Sequence, residues 1–594
     1  MNGFGEKKIS NKKKFHNQLS EVQINQLMTG AIRHLSSGNF VDAEACYMKL
    51  INAGFKDPRV YSNIGAIYKQ RNNLDKACFY LKKAVTLFPE YADAYSNLAL
   101  ILKEKGELKE AELYARKAIS LKPNLCDAYL ILGGILQDQG DLDQAILCTR
   151  KAIILDPNLA SSHLNLGVLL KEKGNLKEAE DATRKAISLQ SNLANAHLNL
   201  GVLLKEKGNL KEAEDATRKA ISLQSNLANA HLNLGILLKD LGKLKEAEKT
   251  LIKAIQIDGL LAPAYYSLST LTDYSNEREL EDKLFKINLD NLDNLSFKID
   301  LCFARSNILH KKNLFLESSE YLKEANKIKL QLYPSNANKQ IKKSIEILDK
   351  YKDYQEDIPV TSPVSNCIFI VGMPRSGSTL LESILSMKEK VVDLGETVIF
   401  EQAFSEWNMQ DKQSKGKSLF EIYYEKRSSF AEKECITTDK NLYNYMYSGF
   451  IASQFPAAKI IHCYRNPLDN ILSMYRANFA KGNYYSSSIL DCSKVLSNHI
   501  YLMNYYKKLY PEKIYSLDYD QLVISPKDQI RSLINWLGWE WEELYLSPDK
   551  SNRAVSTASN VQVRYPINNK SLYGWKKYTE LLKPAIDYLD QKII

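Results

Sequence analysis

The run Ile368-Phe369-Ile370-Val371-Gly372-Met373-Pro374-Arg375-Ser376-Gly377-Ser378-Thr379-Leu380-Leu381 passes from apolar, β-branched residues through Gly, Pro and Ser into a helical pattern. That order predicts strand, tight loop and helix. Such a loop gathers backbone N–H groups and a helix N-terminus around one anion, which suits a phosphate. Gly372 and Gly377 have P-loop spacing, but Ser378 stands where a nucleotide hydrolase carries its Lys. A kinase or GTPase uses that Lys on the β/γ-phosphates, with Mg²⁺ on the following hydroxyl. The loop therefore predicts phosphate binding of a kind unsuited to ATP, with Arg375 as a cation inside it.

A second group of polar residues follows another strand signal, Lys459–Tyr464, which runs into Arg465-Asn466-Pro467-Leu468-Asp469 and a helix containing Ser473. Further strand signals are Val391-Val392-Asp393-Leu394 before Gly395-Glu396-Thr397, one ahead of Thr437-Thr438-Asp439-Lys440-Asn441, and Lys513–Tyr519. Strands alternating with helices predict an α/β domain with a parallel sheet covered on both faces. Ligands of such sheets sit at the carboxyl ends of the strands, so Arg375 and Arg465 can face one crevice. Asp439 and Asp469 read as caps of the helices that follow them. His462, inside an apolar strand, reads as a hydrogen-bonded core histidine.

Pro374-Arg375-Ser376-Gly377-Ser378-Thr379 resembles the 5′-phosphosulfate loop of sulfotransferases, and Arg465-Asn466-Pro467-Leu468-Asp469 with Ser473 resembles that family's 3′-phosphate motif. Tyr519-Asp520-Gln521-Leu522-Val523 and Thr557–Arg564, followed by Pro566 and Trp575, are similar to the tyrosylprotein-sulfotransferase branch. The resemblance covers about 366–580, and its phosphate motifs are specific as a pair. It implies sulfuryl transfer from 3′-phosphoadenosine 5′-phosphosulfate, the co-substrate, to an acceptor hydroxyl, with no metal. By position, Arg375, Ser376, Gly377, Ser378 and Thr379 would hold the 5′-phosphosulfate. Arg465 and Ser473 would hold the 3′-phosphate, with Arg476 and Arg564 as helpers. Arginine can offer a phosphate two parallel N–H bonds, which a lysine cannot. Catalysis would involve Arg375, Glu396 as the base beside the acceptor, and Lys440 on the leaving phosphate oxygen. Where the branch has Gly-Glu-Glu-Thr, this chain has Gly395-Glu396-Thr397.

The first half is built differently. Residues 163–196 and 197–230 are identical, fixing a period of 34 residues. A small residue recurs at that interval at Ala31, Gly65, Ala99, Gly133, Gly167, Gly201, Gly235 and Ser269. The pattern resembles the tetratricopeptide repeat (TPR), a helix–turn–helix unit whose copies stack into a solenoid with a long concave face. The fold class expected is thus multidomain: an N-terminal all-α TPR solenoid followed by an α/β, P-loop-like sulfotransferase domain with a parallel sheet. The boundaries expected are a basic tail at 1–21, repeats at 22–269, a helical connector with degenerate repeats at 270–354, and the sulfotransferase domain at 355–594. A polar, proline-bearing stretch at 355–363 marks the seam.

The chain has 594 residues and a formal net charge of +10, a modest excess that favours an anionic ligand over nucleic acid. Nine scattered Cys without a CxxC pair predict free thiols in a reducing compartment, with neither a disulfide frame nor a zinc site. The basic N-terminus lacks the apolar core of a signal peptide, and no apolar run reaches the roughly 20 residues of a membrane span. A soluble, cytoplasmic protein is expected. The repeat face suits a peptide or protein partner and is compatible with a homodimer. The acceptor stays open between peptide tyrosine, carbohydrate and small alcohol. Two other readings stand beside the enzyme: a non-catalytic TPR scaffold, and a nucleotide kinase of related fold, which Ser378 disfavours.

Overall fold

The computed structural model describes residues 19–272, 277–354, 367–410, 416–432, 435–479, 482–551, 553–555, 557 and 559–593. Most of the expected basic tail and the 355–363 seam lie outside the described residues. Two compact units divide the chain, 1–225 and 226–594. The division falls inside the repeat array.

The first unit is a series of helix pairs, beginning with Glu21–Ser36 and Phe40–Asn52 and repeating through Ala194–Glu206 and Leu210–Leu223. Small residues at the 34-residue positions let the two helices of a pair cross closely. A Cβ on Gly201 would lie 2.3 Å from the Thr217 hydroxyl, inside contact distance. The core of this unit is correspondingly rich in alanine, including Ala43, Ala77, Ala111, Ala115 and Ala145, all fully buried. Leucines such as Leu98, Leu102 and Leu169 fill the space between.

The second unit holds a five-stranded sheet. Its strands are β1 Cys367–Gly372, β2 Val391–Asp393, β3 Ile436–Asp439, β4 Lys459–Tyr464 and β5 Ile514–Asp518. All pair in parallel, in the order β2-β3-β1-β4-β5. β1 is central and buried along its whole length, as its unbroken apolar run requires. Its alternate side chains enter different cores. Phe369 and Val371 join the helix Ile489–Leu509 and residues of the connector, while Ile368 and Ile370 meet the helices Ser378–Leu385 and Pro526–Leu537.

The connector belongs structurally to this domain. Ile299, Phe303, Leu322 and Ile328, from the helices Leu295–Lys311 and Phe315–Leu332, share one core with Phe369 and Val371. Polar groups reinforce the join. Asn326 donates to the carbonyl of Tyr475 at 3.0 Å, and Lys329 to Asn478 Oδ1 at 3.0 Å and the Phe479 carbonyl at 2.9 Å.

Candidate active site

Four chain segments leave the carboxyl edge of the sheet carrying the candidate residues. The turn after β2 bears Glu396, the residue after β3 is Lys440, the loop after β1 bears Arg375, and the residue after β4 is Arg465. Strand order therefore sets these groups in the sequence Glu396, Lys440, phosphate loop, Arg465 along one edge. Neighbouring strands lie about 4.8 Å apart, so the row is compact.

The loop's shape depends on backbone angles that few residues tolerate. Arg375 has φ +69° and Gly377 φ +94°. A Cβ at Gly377 would stand 2.2 Å from the Tyr519 ring, so glycine is needed for space as well as for angle. Gly377 caps the helix Ser378–Leu385 without a side-chain hydrogen bond, leaving its first N–H groups without side-chain partners at the cap. Asn470, from the helix Pro467–Tyr475, donates to the Pro374 carbonyl at 2.9 Å and fixes the loop against the segment after β4.

Arginine side chains then converge. Arg375 Nε donates to Ser473 Oγ at 3.1 Å, its Nη2 to Gln562 Oε1 at 3.1 Å, and its Nη1 to Ser559. Arg465 lies over the Tyr519 ring, 4.9 Å from its centre, and donates to the Ser571 carbonyl at 3.0 Å. Arg476 Nη1 meets His310 Nε2 at 3.1 Å. Among the described residues neither Arg375 nor Arg476 has an ion-pair partner, and Arg465 has only Asp469 and Asp520, each at 3.9 Å. Burial, followed by the neighbouring Arg465, lowers Arg375 to about 10. Burial also lowers Arg476. Ser376 Oγ, Arg465 Nε and Arg476 Nε are buried without hydrogen-bond partners. Enclosed cations with spare donors, beside a loop of P-loop spacing, are an arrangement able to receive a polyanion.

Arg564 is committed elsewhere. It donates to the carbonyls of Ser551 at 2.9 Å, Asp240 at 3.0 Å and Arg553 at 2.5 Å, so it braces the C-terminal segment. Thr379 meets that segment through Thr557, hydroxyl to hydroxyl at 3.3 Å. Asp469 also differs from its expected role. Asn466 caps its helix, while Asp469 accepts the N–H groups of Tyr573 and Trp575, both at 2.9 Å. Asp439 accepts the Asn441 N–H at 3.2 Å, with Tyr423 and Asn444 as further donors, and burial raises it to about 7. His462 is buried, and neither ring nitrogen has a partner among the described residues.

At the other end of the row, Lys440 Nζ donates to Glu396 Oε1 at 3.1 Å. The Lys440 side chain is 1% exposed, whereas that of Glu396 is 60% exposed and open to an acceptor. Three further residues complete this cluster and were not singled out by sequence. Glu382, with a fully buried side chain, lies 3.3 Å from Lys440 and 2.5 Å from Arg553. Arg553 also pairs with Asp393, whose other oxygen accepts the Gly395 N–H at 2.7 Å. Burial opposes the Lys440 charge, but Glu382 and Glu396 outweigh it and its pKa is raised. Burial pushes Glu382 up to about 8 against the pull of Lys440 and Arg553. Glu382 did carry a signal: it is the lone acid in Ser-Thr-Leu-Leu-Glu-Ser-Ile-Leu. Arg553, far along the chain, carried none.

Residues 367–543 match the pattern described as the sulfotransferase family. This segment is a sulfotransferase-family domain. Five stretches, 58–91, 92–125, 160–193, 194–227 and 228–259, match the tetratricopeptide repeat, and 133–174 matches a TPR repeat. Among curated proteins, an uncharacterized protein of Aquifex aeolicus (strain VF5) is 32% identical over 249 residues, covering 39% of this chain and 33% of its own. Protein-tyrosine sulfotransferase 1 of Danio rerio is 24% identical over 245 residues, or 37% of this chain and 67% of its own. Protein-tyrosine sulfotransferase of Drosophila melanogaster is 22% identical over 231 residues, or 35% and 46%. The chain thus spans between one third and two thirds of these relatives' lengths. Among solved structures, MamA is 27% identical with a TM-score of 0.25, covering 27% of this chain and 92% of that one. No helix among the described residues is long and apolar enough to cross a membrane.

Proposed function

We propose that the chain transfers a sulfuryl group from 3′-phosphoadenosine 5′-phosphosulfate to an acceptor hydroxyl. The order of groups along the sheet edge carries this reading: an exposed carboxylate, an enclosed lysine, a phosphate loop and a set of arginines short of counter-ions. The residues fit the donor because its two phosphate-bearing ends need separate cationic seats, and the spare donors supply them. Backbone and hydroxyl groups from Ser376 to Thr379, with Arg375, hold the 5′-phosphosulfate. Arg465, Ser473 and Arg476 hold the 3′-phosphate, while Arg564 braces the segment that reaches Arg375. The donor supplies an activated sulfuryl group and a phosphate leaving group.

Glu396 receives the acceptor's hydroxyl proton as the oxygen attacks, because it is the accessible carboxylate of the row. Lys440 sits between that base and the loop, where it offers charge to the leaving oxygen. Positioning and charge stabilisation account for the catalysis, as in phosphoryl transfer. The repeats engage the acceptor or a protein partner along their face.

Titrating adenosine 3′,5′-bisphosphate into the full chain tests the donor site. Binding in the micromolar range, about −8 kcal/mol, that is lost in Arg465→Ala is the expected result. A folded wild-type chain that binds none would defeat the reading and leave a repeat scaffold with a silent domain.

A further inference from the structure

Glu382 occupies a place the proposed reaction does not directly use, yet its contacts reach both groups that the reaction does use. Its carboxyl group is fully buried one helical turn beyond Ser378. On one side Glu382 meets the Lys440 ammonium at 3.3 Å, and on the other the Arg553 guanidinium at 2.5 Å. Arg553 continues to Asp393, and Asp393 accepts the Gly395 N–H of the turn that presents Glu396. Lys440 closes the circuit by donating to Glu396 at 3.1 Å, while its own N–H donates to the Gly395 carbonyl at 3.1 Å. The second oxygen of Glu382 is buried without a hydrogen-bond partner.

Three acids, Glu382, Asp393 and Glu396, face two bases, Lys440 and Arg553. One proton on an acid balances the set. The fully buried carboxyl loses the most by ionising, and the Asp393 charge beside it adds to that cost.

We infer that Glu382 is a positioning residue for sulfuryl transfer, a hydrogen-bonding carboxyl that seats Lys440 from below and, through Arg553 and Asp393, fixes the turn bearing Glu396. The inference rests on the sulfotransferase reading of the site. As a neutral group Glu382 holds the ammonium in place without consuming its charge, which remains directed to the donor's 5′ end. The Gln side chain preserves that shape and an acceptor oxygen. The Asp side chain keeps an acid but withdraws it by one methylene, and Leu removes the acceptor.

The test compares two probes, adenosine 3′,5′-bisphosphate and adenosine 3′-monophosphate, titrated calorimetrically into the full chain and into Glu382→Gln, Glu382→Asp and Glu382→Leu. Asp and Leu are expected to lower bisphosphate affinity about tenfold, the scale of one hydrogen bond to a charged group. Monophosphate affinity stays as in wild type, and Gln keeps both affinities within about threefold. Should Leu fail to fold, Asp carries the same comparison. Wild-type affinity of Asp for the bisphosphate, or equal losses for both probes, overturns the positioning role. A Gln variant as weak as Asp overturns the neutral form. No bisphosphate binding by wild type is a separate result and defeats the functional reading itself.

Discussion

Burial governs how Glu382 titrates, and the sign of its effect on stability follows. Its ordinary pKa of 4.5 rises to about 8 in the folded chain, so the native state holds the proton more tightly than the unfolded state does. That contribution is fully present below pH 4.5 and is lost as pH rises toward about 8. Asp393 acts oppositely: its pKa is lowered from 3.8, despite burial, by its neighbour Glu382 and by Arg553. The stability it adds fades only as pH falls below that ordinary value, outside the Glu382 window. Glu382→Gln cannot titrate, so its melting temperature relative to wild type should climb between about pH 5 and about pH 8.5. Scanning calorimetry of both proteins reads this directly, and a difference that stays flat across the range would place the proton elsewhere.

The loop between β1 and the helix Ser378–Leu385 is tied to the segment after β4 because Tyr519 meets both. The ring packs on Gly377 and carries Arg465 on its face, 4.9 Å from the centre. Gly377→Ala sets a methyl group against that ring at a φ of +94°. A loss of about 1–3 kcal/mol in urea unfolding is expected, from strain and overpacking. Bisphosphate binding should fall at least about tenfold, since both phosphate motifs move with the ring. Wild-type affinity in a folded Gly377→Ala chain would show that the loop does not meet the ligand.

These local features were open to sequence reasoning in unequal measure. Gly372, Gly377 and the two arginine motifs announce themselves by spacing, and β1 and β4 by their apolar runs. The side-by-side order of strands is not written in chain order, so nothing local placed Glu396 and Arg465 on opposite sides of the loop. Asp469 looked like a helix cap because capping is short-range. Its actual partners, Tyr573 and Trp575, lie more than a hundred residues away. Arg553 and Arg564 exchanged importance for the same reason: only the folded chain brings Arg553 to Glu382 and turns Arg564 onto carbonyls.

For the whole molecule, the division at 225/226 makes a prediction about where the chain can be cut. A fragment of residues 226–594 keeps Ile299, Phe303, Leu322 and Ile328 in the core that covers β1. It should fold cooperatively and bind the bisphosphate as the full chain does. A fragment of residues 355–594 leaves that apolar face bare and strips the Asn326 and Lys329 hydrogen bonds. It should aggregate or melt without a cooperative transition. A soluble, binding-competent 355–594 fragment, seen by circular dichroism and titration, would contradict this account.

The two identical stretches at 163–196 and 197–230 have a different kind of consequence. Excising either one produces the same polypeptide, with the 34-residue pattern unbroken across the join. Copy number is therefore an inheritable setting that can move in whole steps of 34 residues. Its reach along the array can lengthen or shorten by such steps, with no new side-chain contact to be invented.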